Sequence, residues 1–218
     1  MFSFKKVLYL IVLIGYSFSY AGSYEDFFQA LALDNAPAVS ALLQRGFDPN
    51  SVSPKGQPAL LLAMRLPAPA VAKVLIAHPD TKVELRTEKD ESPLMLAAIK
   101  GQLDLCKQLI ARDADVNKPG WAPLHYAATS GNVQVIQLLL DHYAYIDAES
   151  PNSSTPLMMA AMYGSAEAVK VLLDAGADAT LKNAIGLTAL DFALKAGHPD
   201  AVELIAAAIR ARKPAAAW

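Results

Sequence analysis

The stretch Thr155-Pro156-Leu157-Met158-Met159-Ala160-Ala161 decides the fold, because related heptads return along the chain. They begin at Ser92, Ala122 and Thr188, and a weaker version begins at Gln57. The second residues of the five heptads lie at positions 58, 93, 123, 156 and 189, at intervals of 35, 30, 33 and 33 residues. A period near 33 residues is typical of proteins built from repeated helix–turn–helix units.

Each heptad has the composition of a helix start. Thr155 can cap the first turn by accepting a hydrogen bond from a backbone N–H, and Pro156 suits the first helical position. A second apolar stretch follows, for example at residues 133–140, so every unit contains two short amphipathic segments. One such pair cannot bury its apolar face alone, whereas a stack of pairs can. Glycines that end the first helix in a left-handed conformation are predicted at Gly101, Gly131, Gly164 and Gly197.

These heptads resemble the ankyrin repeat, whose signature is Thr-Pro-Leu-His-x-Ala and whose period is about 33 residues. The resemblance extends over residues 23–210 and includes a degenerate first copy at 23–50. It implies an all-α ankyrin-repeat solenoid of about six helix–turn–helix units, joined by hairpin-like loops called fingers. The expected domain spans residues 22–212, followed by a flexible tail at 213–218. Its units are expected at 23–53, 54–86, 87–117, 118–149, 150–182 and 183–212.

The chain departs from the family pattern at two kinds of position. The 30-residue interval leaves the loop at residues 117–121 three residues short, which predicts a blunted finger between the third and fourth units. Asp113 and Tyr143 stand where the family usually has glycine. A tyrosine in a left-handed turn is strained, so we expect strain at Tyr143 unless the turn changes.

Residues 1–21 have the layout of a secretory signal peptide. Lys5 and Lys6 precede an apolar run at residues 7–14, and small residues lie at Ser19 and Ala21. Cleavage is predicted after Ala21, with Ser19 as the alternative site. An uncleaved anchor is the other interpretation, although the apolar run is shorter than the ~20 residues that a spanning helix needs. The sequence therefore predicts a periplasmic or secreted protein without stable membrane insertion after cleavage.

Composition excludes several functional classes. A hydrophobic fraction of 54% with 18% charged residues excludes disorder for most of the chain. The net charge of -2 gives no general basic field for nucleic acid. Cys106 is the single cysteine, so the chain has no internal disulfide and no multi-cysteine metal site. Cys106 lies in an apolar helix pattern and is expected to be a buried thiol.

The polar residues give no pattern of catalysis. No two histidines lie at metal-ligand spacing, and no phosphate loop or nucleophile motif occurs. His125 matches the histidine of the family signature, which implies that it braces loops through hydrogen bonds. Asp191 replaces this histidine in the last unit and is expected to bind the local backbone. The sequence thus predicts no catalytic, cofactor or metal site and no enzymatic activity, and a hydrolase built on the stack would rest only on isolated polar residues.

The resemblance implies a binding protein that contacts its partner through the finger tips and the exposed faces of the first helices. The candidate residues at these places are Glu88, Lys89, Lys100, Trp121, Ser130, Asn152, Met162 and Tyr163. Trp121, Met162 and Tyr163 are expected to form an apolar cluster, and aromatic anchors are favoured in binding hot spots. The alternative is that these side chains fill the space left by the short finger.

The combined prediction is a monomeric, non-enzymatic module that binds another protein in the periplasm or outside the cell. Similar exported bacterial ankyrin proteins are linked to protection against oxidants or to neutralisation of a partner toxin, and either role is consistent with these residues. A secreted effector that binds host proteins is the alternative. A scaffold motif does not specify its partner, because a fold does not fix a function.

Overall fold

The computed structural model of the protein describes residues 22–211. The predicted signal peptide at 1–21 and the predicted tail at 213–218 lie outside these residues. Within residues 22–211 the regular structure is helical, and an isolated β-bridge joins Val52 to Pro58. The predicted all-α repeat fold is therefore confirmed.

Twelve helices, α1 to α12, form six successive pairs within the described part of the chain. The helical residues of α1 are 22–32. The other helices are α2 (Ala36–Gln44), α3 (Ala59–Arg65), α4 (Pro69–Ala77), α5 (Pro93–Ile99), α6 (Leu103–Ile110), α7 (Pro123–Ser130), α8 (Val133–Asp141), α9 (Pro156–Tyr163), α10 (Ala166–Asp174), α11 (Ala189–Ala196) and α12 (Pro199–Ala211).

The helices divide between two compact units, one up to Lys82 and one from Val83 onward. The first unit contains α1 to α4. The rings of Phe27 and Phe47 stack there with their centroids 4.4 Å apart, and Phe27 is fully buried. Asp34, in the turn between α1 and α2, caps the first turn of α4, because its carboxylate accepts a hydrogen bond of 2.8 Å from the Val71 N–H. The degenerate first copy thus contributes an aromatic core and a helix cap to its unit.

The second unit contains α5 to α12 in two rows. The first helices of successive pairs pack side by side in the order α5, α7, α9, α11, and the second helices pack in the order α6, α8, α10, α12. Small side chains allow the first row to pack closely, since Ala97, Ala127 and Ala160 are at most 1% exposed. Larger side chains such as Leu124 of α7 and Ile136 of α8 are fully buried and form part of the core.

The predicted helix caps are present. The hydroxyl of Ser92 accepts a hydrogen bond from the Met95 N–H at 3.2 Å, and Thr155 caps α9 in the same way. In the last pair Thr188 caps α11 through the Asp191 N–H, while the Asp191 carboxylate accepts from the Thr188 N–H at 2.8 Å. The expected bond of Asp191 to the local backbone is therefore confirmed.

The glycine prediction is right at three positions and wrong at Gly164. Gly101, Gly131 and Gly197 have φ between 63° and 71°, in the left-handed region. Gly164 instead has φ -84° and ψ -153°, so its backbone conformation does not require glycine. The physical reason for glycine there is a close approach, because a Cβ would lie 2.6 Å from the Ala128 carbonyl oxygen.

Tyr143 adopts the strained conformation that the sequence predicted. Its φ is 63°, and Asp113 at the corresponding turn has φ 60°. The Tyr143 side chain is 86% exposed, so no burial compensates the backbone conformation. Its carbonyl oxygen does accept a hydrogen bond of 2.8 Å from the side-chain amide of Asn117.

Four fingers share one pattern of backbone hydrogen bonds. In the finger at residues 150–154, the Ser150 N–H donates to the Ser154 carbonyl and the Ser153 N–H donates to the Ser150 carbonyl. The loops at 53–57, 87–91 and 183–187 repeat both bonds. The short loop at 117–121 is held differently: the Lys118 ammonium pairs with the Asp90 carboxylate of the preceding finger. The predicted blunted finger is thus present as a loop without the hairpin pattern of the other four.

Side chains at the bases of the fingers fasten each pair of helices to the next, within each compact unit. The Asn50 side chain accepts from the Lys82 N–H, and Glu84 accepts from the Asp115 N–H, both at 2.8 Å. Asn117 accepts from the Tyr145 N–H at 2.8 Å, and Asp147 accepts from the Asp178 N–H at 3.0 Å. In each case a side chain of the earlier pair holds the backbone of the later pair. We call these four contacts the loop clamps.

Candidate functional site

His125 braces two loops at the start of α7. Its Nδ1 atom accepts a hydrogen bond from the Ala122 N–H at 3.1 Å, which leaves the ring proton on Nε2. Nε2 then donates to the Ser154 carbonyl oxygen of the next finger at 2.9 Å. The ring is fully buried, and this burial lowers the pKa of His125 below its usual value of 6.5. His125 is therefore a neutral structural residue, as the resemblance implied.

Trp121 lies against His125 where the short finger ends. The two ring centroids are 5.3 Å apart and the rings meet edge to face at 76°. The indole is only half-buried, so part of it covers the histidine and part remains accessible. Trp121 thus fills space beside the short finger and also presents an aromatic surface.

An open groove of about 260 Å³ adjoins this indole on the exposed side of the first-helix row. Its lining residues come from the end of α5, the short loop, α7 and α9. They are Ile99, Trp121, His125, Tyr126, Thr129, Met159 and Tyr163, and we call the site the aromatic groove. The Tyr163 side chain is 61% exposed. The groove crosses three successive repeats.

The carboxylate of Glu91 lies at the rim of the aromatic groove. The Tyr126 hydroxyl donates a hydrogen bond to the carboxylate of Glu91, on the preceding finger. Burial, then the Glu91 carboxylate and last the Asp90 carboxylate raise the pKa of Tyr126 above its usual value of 10. Thr87 holds Glu91 in place by donating to its carboxylate at 3.1 Å. The Glu91 carboxylate therefore lies next to one wall of the groove.

The structure brings together only two of the eight predicted binding residues, Trp121 and Tyr163. Met162 does not line the aromatic groove, although it precedes Tyr163, because it points to another face of α9 and is half-buried. The alternative role, filling the gap of the short finger, stays a prediction for Trp121, whose indole contacts the His125 ring. The binding role of all eight residues stays a prediction.

The remaining candidates lie at separate places. Glu88 and Lys89 are exposed at the tip of the finger at 87–91. Lys100 ends α5, and partial burial lowers its pKa. Ser130 has a structural contact, since its hydroxyl donates to the Ala98 carbonyl at 3.3 Å. The Asn152 carbonyl accepts from the Ala184 N–H of the next finger at 2.9 Å, so its backbone joins two fingers.

The sequence interpretation missed Tyr126 and Met159 as parts of the surface. Helical spacing could have found both, because residues three or four apart share a face of a helix. Tyr126 lies three residues before Thr129 on α7, and Met159 lies four residues before Tyr163 on α9. Their position inside the repeated heptads favoured a purely structural interpretation.

The groove holds hydroxyls, a thioether and a neutral, fully bonded imidazole, which can bind but offer no activated nucleophile. Cys106 is buried on α6, where desolvation raises the pKa of its thiol to about 12. Between residues 22 and 211 there is no group of three or more His, Cys, Asp or Glu side chains placed to hold a metal ion. In the same range no helix combines the length and the apolar composition needed to cross a bilayer.

Two rows of helices, projecting fingers and an accessible aromatic groove define a helical-repeat binding scaffold. Family models described as ankyrin repeats match residues 27–119, 68–150 and 139–193. The chain belongs to the ankyrin-repeat family. Members of this family are protein–protein interaction modules and generally binding scaffolds rather than enzymes.

Curated relatives match over part of the chain. Ankyrin repeat and SAM domain-containing protein 6 of Rattus norvegicus is 32% identical over 49% of this chain and 12% of its own length. The 2-5A-dependent ribonuclease of Mus musculus is 38% identical over 31% of this chain and 10% of its length. Neurogenic locus notch homolog protein 2 of Homo sapiens is 34% identical over 55% of this chain and 5% of its length. The match thus covers a small fraction of each relative.

Proposed function

We propose that the chain binds another protein in the periplasm or outside the cell, with the aromatic groove at the centre of the contact. The observation that carries this proposal is the groove itself. Trp121 and Tyr163 come from different repeats, and both leave apolar surface in contact with solvent. Aromatic residues surrounded by polar groups form the energetic centre of many interfaces.

Export is the second part of the proposal, and the supporting feature is the signal-peptide layout of residues 1–21. Mass spectrometry of the protein purified from its native cells tests it, with a mature amino terminus at Gly22 as the expected result. An intact Met1 in the cytosolic fraction would contradict export. Material in the culture supernatant, absent from the periplasm, would favour the alternative effector role.

The binding role is tested by cross-linking in the compartment where the protein is found. We expect wild type to retain a defined protein that the Trp121→Ala and Tyr163→Ala variants lose. Tyr145→Ala is the matched control, because Tyr145 is 70% exposed but lies outside the aromatic groove. The captured protein is then purified and titrated against each variant.

Two outcomes decide the binding proposal. Loss of binding of tenfold or more in both groove variants, with an unchanged control, supports it. Equal binding by wild type, groove variants and control would place the contact elsewhere. The captured protein also separates the two roles suggested by similar exported proteins, since a toxin and a component of oxidant defence differ in activity.

A further inference from the structure

The seventh residue of each heptad lies where the next helix pair packs. In three heptads this residue is Ala98, Ala128 or Ala161, and each of these alanines is fully buried. The following pair contacts two of them directly, because the Ser130 hydroxyl donates to the Ala98 carbonyl and His198 Nδ1 donates to the Ala161 carbonyl at 3.1 Å. The seventh position of a heptad therefore marks the stacking face of its pair.

The last heptad has Leu194 at this position, and 59% of this residue is exposed. An open groove of about 440 Å³ lies on this face between α11 and α12, which is the last helix of the described residues. Its apolar lining includes Ala193, Leu194, Pro199, Val202 and Ala206, and we call it the end groove. Terminal units of repeat proteins need a polar outer face for solubility. The last described pair instead presents apolar surface that a further segment can cover.

Charge does not select the occupant of the end groove. Its ionisable lining residues are His198, Glu203 and Arg210, and the last two carry opposite charges. Lys195 on α11 and Asp200 on α12 lie beside lining residues and also have opposite charges. Because the charges are balanced, the burial of apolar surface decides what the groove holds.

We propose that residues 212–218 of the same chain fold back along α12 and place the Trp218 indole in the end groove, against Leu194 and Val202. The tail is then the cap of the last helix pair. This inference is independent of the proposed partner binding at the aromatic groove. It gives residues 213–218 a fixed position, in place of the flexible tail expected from the sequence.

The position and composition of the segment identify it as the occupant. It follows α12 directly, and Arg210 at the end of α12 lines the groove, so the segment begins beside the site. Pro214 favours a change of direction, because a proline inside a helix lacks the N–H and clashes with the carbonyl four residues before it. Trp218 follows three alanines and is the large apolar side chain of the segment. A tryptophan buries roughly 150–250 Å² when it is covered.

The segment is also long enough to reach the groove. Trp218 lies seven residues beyond Ala211, and an extended chain of this length spans up to about 25 Å. The return distance along α12 from Arg210 to Val202 is only about 12 Å, at 1.5 Å per residue. A group on so short a tether has an effective concentration of about millimolar. The end groove can therefore hold this indole even if it binds free indole only weakly.

The fluorescence of Trp218 tests the inference in the otherwise intact chain. The protein has two tryptophans, so Trp121→Phe makes Trp218 the sole emitter. We expect emission at a shorter wavelength than that of free tryptophan amide, and a quenching constant with acrylamide about threefold lower, because the groove covers the indole. Emission and quenching equal to those of free tryptophan amide would overturn the proposal.

Two further variants locate the indole. Leu194→Glu places a charge in the end groove, and we expect it to return Trp218 to the quenching of free tryptophan amide. Ile185→Glu is the matched control, because Ile185 is 78% exposed but lies outside the groove, and it should leave Trp218 protected. Circular dichroism checks that both variants keep their helices.

Two results would show that the fold-back is wrong. Protection that persists in Leu194→Glu would place the indole elsewhere. Protection that disappears on dilution of the protein would mean that the tail of a second copy fills the groove, whereas an intramolecular contact is independent of concentration. Protection that is constant on dilution and lost only in Leu194→Glu supports the proposal.

Discussion

Gly164→Ala tests the close approach between α9 and α7. The added Cβ would lie 2.6 Å from the Ala128 carbonyl oxygen, 2.9 Å from the Ala160 carbonyl oxygen and 3.0 Å from the Ala160 Cα. All three atoms belong to the backbone, so no side chain can turn away to make room. The helices themselves must shift, and the whole first-helix row is packed against them.

The expected cost follows from two opposing effects. Overpacking of this kind costs about 3 kcal/mol at the upper end of its usual range. Replacement of glycine by alanine lowers the entropy of the unfolded chain, which raises the free energy of unfolding by roughly 0.5–1 kcal/mol. The net loss of unfolding free energy is therefore about 2 kcal/mol, which for a chain of this size lowers the melting temperature by roughly 4–8 °C.

Urea unfolding followed by circular dichroism measures this loss. Gly22→Ala is the matched control, because a Cβ at Gly22 meets nothing within 4 Å. We expect the control to lie within about 0.5 kcal/mol of wild type, as usual for surface substitutions. A Gly164→Ala protein as stable as the control would refute the steric argument.

Three further outcomes are expected. Tyr143→Gly should raise the unfolding free energy by about 0.5 kcal/mol in urea titration, since release of left-handed strain exceeds the entropy cost of glycine; a lower stability would contradict this. Cys106 should react with a thiol reagent only after unfolding, because burial raises its pKa to about 12, whereas rapid labelling of the native protein would show an accessible thiol. Burial keeps His125 neutral in the folded protein, so the unfolded state binds more protons below pH 6.5. The unfolding free energy should therefore fall as the pH drops below 6.5, by at most about 1.4 kcal/mol per pH unit. Urea titration of His125→Gln at the same pH values should show a flatter dependence on pH.

Much of the fold was predictable because the repeat places the same chemistry at each start of a helix. Thr155 and Ser92 cap helices, and His125 braces loops, through contacts that depend on a few neighbouring residues. Gly164 was misinterpreted because its constraint comes from Ala128, in the preceding repeat, and no local pattern shows such an approach.

The candidate site was predictable only in part for the same reason. Trp121 and Tyr163 stand out as aromatic residues at exposed positions of the repeat, and the structure places both at one groove. The position of the Glu91 carboxylate at its rim depends on a contact with Tyr126, which belongs to a different repeat. Such pairs follow from how the repeats stack, and spacing along one repeat does not reveal them.

The loop clamps all have the same direction along the chain. Each accepting side chain precedes, by about thirty residues, the backbone N–H that it binds. During synthesis, which exposes the amino-terminal part first, every acceptor is in place before its donor emerges. Removing helix pairs from the carboxyl end therefore leaves an accepting side chain that water can satisfy. Removing them from the amino end instead leaves a backbone turn without the side chain that holds its N–H group. The protein should tolerate shortening from its two ends unequally.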